Sequence, residues 1–137
     1  MTKPRHSFGE HIGEIELRVE AESLAALFEE AARALAELLA EDASGPTAGP
    51  PTRVGVTSTD REALLVDWLN ELIYRGEVDK CIFADVRIEH IDDHSLEAQV
   101  RARLPEAPRT AVKAATWHGT CVRANDGRFE ARVVLDV

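Results

Sequence analysis

From Glu14 to Ala21 the chain alternates without a break, with Ile15, Leu17, Val19 and Ala21 apolar and Glu14, Glu16, Arg18 and Glu20 between them. A period of two predicts a strand with one buried and one wet face. The period then changes. Leu24, Leu27, Phe28, Ala31, Leu35, Leu38 and Leu39 recur at three- and four-residue steps, which predicts an amphipathic helix that Ser23 can cap. A short strand around Arg53 to Thr57 follows, and then a second helix carrying Leu65, Trp68, Leu69, Leu72 and Ile73 on one face. Thr59 and Glu62 have the spacing of a capping box at its start, and Gly76 stands where a left-handed stop is expected.

Beyond the second helix the period of two returns. Ile82, Ala84, Val86 and Ile88, then Leu96, Ala98, Val100, Ala102 and Leu104, predict a hairpin with Asp92 and Asp93 at its turn. Two more strands, near Val112 to Arg123 and Arg128 to Val137, are joined by Asn125-Asp126-Gly127. The order β-α-β-α-β-β-β-β is that of an α+β fold, two helices packed on a mainly antiparallel β-sheet. The segment Glu41 to Pro51 holds Gly45, Pro46, Gly49, Pro50 and Pro51, and is expected to be a mobile loop within one domain spanning residues 1–137.

Composition sets limits on function. A chain of 137 residues that is 45% hydrophobic can bury a core without disulfides or structural metal. Cys81 and Cys121 are isolated and form no CxxC pair, which suits a reducing compartment. No run is long and apolar enough to span a bilayer and the first residues lack a signal-peptide core, so a cytoplasmic location is expected. The net charge is −9, with sixteen acidic against eight basic residues over Met1 to Lys80 and nine against eight thereafter. Phosphate-backbone affinity comes from lysine and arginine releasing counterions, so direct nucleic-acid binding is not expected. An acidic surface suits a hard cation or a basic protein partner instead.

Catalytic signatures are absent: the sequence has no phosphate-binding glycine loop, no GxSxG, no HExxH and no paired-cysteine zinc site. His90-Ile91-Asp92-Asp93-His94 is rich in ligand atoms but falls on the expected hairpin turn, where aspartate serves the backbone. The end of the last strand says more. If it is ordered, the Asp136 carboxylate and the Val137 α-carboxylate lie close together, and Glu14 reaches them if the first and last strands are neighbours. Paired with arginine or water this is an acidic strand end; joined by a cation it is a metal site.

Five segments resemble the archease family in the family's order. His11-Ile12-Gly13-Glu14-Ile15 stands where archeases carry His-Thr-Ala-Asp, and Glu22 to Ala32 is similar to their first helix. Leu64-Leu65-Val66-Asp67-Trp68-Leu69-Asn70-Glu71-Leu72-Ile73-Tyr74 resembles their second helix. Val112-Lys113-Ala114-Ala115-Thr116-Trp117-His118 and Val133-Val134-Leu135-Asp136-Val137 complete the set. The resemblance implies a non-enzymatic cofactor of the GTP-dependent ligase that joins RNA ends in tRNA splicing, promoting guanylylation and turnover of that partner. It also implies a divalent cation, usually calcium, held at Glu14, Asp136 and Val137, with His11, His118 and Lys113 near the metal or the partner. Glu14 replaces the family's aspartate and Glu16 its glycine. Two alternatives stay open: a small metal-dependent hydrolase using Glu14, His118 and Asp136, and a chaperone-like interaction module.

Overall fold

The computed structural model describes residues 3–40, 45–105 and 111–137, and for His11 the backbone alone. Among these residues the order is β1 (Arg5–His11), β2 (Glu14–Ala21), α1 (Leu24–Leu39), β3 (Thr47–Thr57), α2 (Arg61–Asp79), β4 (Ile82–Ile91), β5 (Ser95–Arg103), β6 (Ala114–Asn125) and β7 (Arg128–Asp136). This is the expected α+β order preceded by one further strand. The strands form two antiparallel sheets, β1-β2-β7-β6 and β3-β5-β4. No helix of the described residues is long and apolar enough to cross a membrane.

Burial follows the periodicities. Leu17, Val19, Val133 and Leu135 line the inner face of the larger sheet, and Val54, Leu96, Ala98 and Val100 that of the smaller. Phe28 and Leu35 of α1 and Leu65, Trp68 and Leu69 of α2 join both faces in one core. Burying a side chain such as Leu or Phe contributes about 1.5–3 kcal/mol, so the apolar stripes dominate the folding energy. Trp68, fully buried, donates its indole N–H to the Phe28 carbonyl at 3.0 Å, which fixes α2 against α1 and leaves no polar orphan.

Four local details differ from the pattern-based expectations. β1 carries a single large apolar residue, Phe8, and so shows no alternation; it forms because Arg5 to His11 pairs in full register with β2 across a turn at Ile12-Gly13. Helix α2 is capped by Asp60, whose carboxylate accepts from the Ala63 amide at 2.8 Å, rather than by Thr59. Gly76 lies inside α2, and Lys80 supplies the left-handed cap at φ 52°. A Cβ at Gly76 would stand 2.7 Å from the Cys81 carbonyl oxygen, so the glycine serves the close return of the chain and not the stop. Finally, of the Glu41 to Pro51 loop, residues 41–44 lie outside the described residues, while Thr47 to Pro51 belong to β3. Arginine side chains hold this stretch by its carbonyls: Arg103 donates to Gly45 at 3.1 Å and Arg101 to Gly49 at 3.2 Å.

The helices also attend to sheet edges. Glu29 of α1 accepts from the Ile88 amide on edge strand β4 at 2.8 Å. On edge strand β6, Glu62 of α2 accepts from the Val122 amide at 2.8 Å. Asn70 accepts from the Ala115 amide at 2.7 Å and donates to its carbonyl at 3.1 Å, as a neighbouring strand would. Here Glu62, expected in a capping box, has a different partner.

Candidate functional site

The register of the larger sheet places the acidic residues. Glu14 is the direct cross-strand partner of Asp136, and Glu14 is also opposite His11, while Asp136 is opposite Ala114. His11, Glu14, Asp136 and Ala114 thus form one row over four strands. Because Ile15 and Leu135 face the core, Glu14 and Asp136 share the outward face. Directly opposed residues have Cβ atoms about 4.5–5.5 Å apart, close enough for both carboxylates to reach one point. Like charges so placed repel unless something positive joins them.

Backbone bonds fix the row. The Val137 amide donates to the Gly13 carbonyl at 3.1 Å, and the Lys113 amide donates to the Asp136 carbonyl at 2.8 Å. Val137 also packs partly buried against the core. Among the described residues, neither the Glu14 nor the Asp136 carboxylate has an ion-pair or hydrogen-bond partner. The next row inward is different. Glu16 accepts from the Arg18 Nε at 2.8 Å and lies 3.9 Å from the Arg132 Nε, so its charge is balanced within the sheet.

Of the residues marked in sequence, Glu14, Asp136 and Val137 therefore come together, and Lys113 adjoins them through its backbone. His11 shares the row, but its side chain lies outside the described residues. His118 does not join. It sits exposed with Trp117 in an irregular stretch of β6, where the pairing shifts between Thr116↔Val134 and Cys121↔Arg132. The His90 to His94 segment is the β4–β5 turn: Asp92 accepts from the His94 and Ser95 amides at 2.8 and 2.9 Å. These two backbone bonds are the main cause of its pKa lying at about 2. Cys81 and Cys121 are free thiols.

The pair of opposed carboxylates fits a hard cation in charge and donor type. Among the described residues no group of three or more His, Cys, Asp and Glu side chains is placed to hold a metal ion, so an ion between Glu14 and Asp136 would need Val137 and water to complete its shell.

Sequence reasoning passed over a second polar cluster. His6 of β1 contacts two α1 carboxylates, Glu30 at 2.6 Å through Nδ1 and Glu37 at 2.7 Å through Nε2. A neutral imidazole has one N–H and could donate to only one of them, so this arrangement calls for the imidazolium. Burial opposes the charge most strongly, yet the two carboxylates together outweigh it and raise the His6 pKa. Nothing in the local sequence around His6 signals this, because both partners lie a helix away.

The fold and the register define an archease-type domain, and comparison with known proteins agrees. Residues 6–137 match the Archease protein family. Protein archease of Methanosarcina mazei is 32% identical over 143 aligned residues, covering 97% of this chain and 96% of that protein. Its counterpart in Methanothermobacter thermautotrophicus is 36% identical over 117, covering 81% and 83%. The solution structure of Methanobacterium thermoautotrophicum protein 1598 superposes with a TM-score of 0.73 at 31% identity, covering 96% of this chain and 98% of that one. A Thermotoga maritima crystal structure, described as an archease and possible chaperone, shares the fold with a TM-score of 0.67 at 23% identity, over 100% and 98% of the two chains. This chain belongs to the archease family.

Proposed function

We propose that the protein is a non-catalytic activator of a GTP-dependent RNA-splicing ligase, and that the end of the larger sheet is its working edge. The observation that supports this most directly is the opposition of Glu14 and Asp136 on neighbouring strands with no basic partner among the described residues. Glu14, Asp136 and Val137 would hold a divalent cation there, calcium in preference, and that ion would supply positive charge to an otherwise acidic edge. Glu14 is one methylene longer than the family's aspartate, which calcium, with its flexible shell, tolerates better than magnesium. The residues themselves do three things. Glu14 and Asp136 present oxygen donors, the Val137–Gly13 and Lys113–Asp136 bonds hold the strand end in register, and Arg18 and Arg132 neutralise Glu16 so that the charge stays at the rim.

Charge also suits the partner. A ligase must carry a basic, phosphate-handling cleft, and a protein of net charge −9 is steered toward such a surface while gaining nothing from counterion release on RNA. The test is reconstitution with the ligase from the same organism. Alone, the protein should neither join nor cleave RNA. In substoichiometric amounts it should speed formation of the ligase–GMP intermediate and raise multiple turnover, and added salt should weaken the effect. Stimulation that persists unchanged in an Asp136→Ala, Glu14→Ala double variant would place the working edge elsewhere. Suppression of client aggregation with no effect on the ligase would favour the chaperone-like reading instead.

A further inference from the structure

The outward face of β3-β5-β4 runs against the charge of the rest of the molecule. Arg53, Gln99 and Arg87 form one row across it, and Arg101 and Asp85 pair in a neighbouring row. Arg87 and Arg101 are joined by Arg33 from α1, and the three line a concavity of about 470 Å³ that also touches Gln99, Asp85 and Pro51. Three arginines against one aspartate is an unusual lining in a chain of net charge −9.

The nearby carboxylates do not use up this positive charge. Asp85 is held by Arg103, which reaches it with two nitrogens at 2.6 and 3.1 Å. Glu30 accepts from Arg33 at 2.9 Å with one oxygen, while its other oxygen faces His6. Glu89 is divided between Arg87 at 3.5 Å and Arg53 at 3.7 Å, both long contacts. Arg101 faces Asp85 across the strands without a direct hydrogen bond to it, and donates its Nε to the Gly49 carbonyl, a neutral group that fixes it in place. The guanidinium fork matches phosphoryl oxygens in pairs, and Gln99 adds a neutral amide donor between Arg87 and Arg101.

We propose that this concavity is a binding site for a small phosphoryl anion of the pyrophosphate class, held by Arg87 and Arg101 with Arg33 and Gln99 at its margin. A small anion fits better than a nucleic-acid strand: the net charge of −9 repels a polyanion at long range, whereas a compact anion can engage the arginines of the cavity, whose one carboxylate, Asp85, is already paired with Arg103. The site lies on a different sheet from Glu14 and Asp136 and does not depend on the ligase reading; either can fail without the other.

The test is a pyrophosphate titration followed by nitrogen-15 NMR of the arginine Nε–H and glutamine amide groups. Saturable shifts are expected at Arg87, Arg101 and Gln99. The double variant Arg87→Gln, Arg101→Gln should weaken binding about tenfold or more, the loss expected when charge-assisted forked bonds are removed. Arg123→Gln, on the other sheet, should leave it unchanged. Gln99→Glu keeps every arginine but introduces a carboxylate, and should also weaken binding, which separates loss of the site from loss of the fold. Inorganic phosphate should compete at the same residues, more weakly. Shifts spread evenly over all arginines, or equal affinity in the double variant, would overturn the proposal. So would a short single-stranded RNA binding these residues more tightly than pyrophosphate.

Discussion

His6 makes the clearest residue-scale prediction. Its pKa is raised in the folded chain, so the contact with Glu30 and Glu37 contributes its full stability below the unfolded value of about 6.5 and loses it as pH rises through the folded value. The melting temperature should therefore decline on that alkaline limb. In His6→Gln the decline should flatten, and a directly titrated imidazole should protonate above the ordinary histidine range. A His6 resonance that titrates at or below 6.5 would show that the carboxylates do not hold the charged ring. Asp92 has the opposite sign: its depressed pKa of about 2 means that its turn bonds are kept at neutral pH and lost only in strong acid. At this scale the sequence was informative where chemistry and periodicity coincide. Glu14 and Asp136 could be read because each ends an alternating strand. His6 and the arginine concavity could not, because their members come from different elements and meet only through strand pairing and helix packing.

Among elements, the two helices and most strands were legible because burial energy follows the apolar stripe, which sequence displays directly. What was hidden depends on pairing. β1 lacks its own stripe and exists as the partner of β2, and in β3 Thr47 and Ala48 pair with β5 while Gly49, Pro50 and Pro51 fall in the irregularity before pairing resumes at Thr52. Gly76 shows the same limit, since its reason is the Cys81 carbonyl and not the helix it occupies. Gly76→Ala should thus destabilise the protein by about 1–3 kcal/mol, as overpacking does, although alanine is the better helix former. Urea denaturation would check this, and a stabilised variant would mean that the chain return relaxes freely. Asn70→Ala should cost about 1–3 kcal/mol by stripping the buried Ala115 of both helix-derived bonds, whereas Asn70→Asp should spare the accepting one.

At the scale of the whole molecule, the proposed metal ligands come from opposite ends of the sequence, so they can meet only when the sheet is complete. A cation held there stabilises the folded state by mass action, about 2.7 kcal/mol at a hundredfold excess over its dissociation constant. Calcium should raise the melting temperature of the wild type, and a chelator should reverse this. Asp136→Asn should abolish the rise while leaving the metal-free melting point nearly unchanged. No calcium-dependent rise in the wild type would argue against occupancy at this edge. The side chains that α1 and α2 lend to β4 and β6 have a colloidal consequence as well. Two mechanisms oppose association through these two edges: mutual repulsion at a distance, and stoppered backbone at contact, where an incoming strand finds amides already taken. Bringing the solution to the isoelectric point near 5.0 cancels the first and leaves the second. Wild-type protein should then cloud reversibly as folded particles that redissolve on return to neutral pH. A Glu62→Ala, Asn70→Ala variant, with β6 unstoppered, should instead pass into fibrillar, thioflavin-binding deposits that do not.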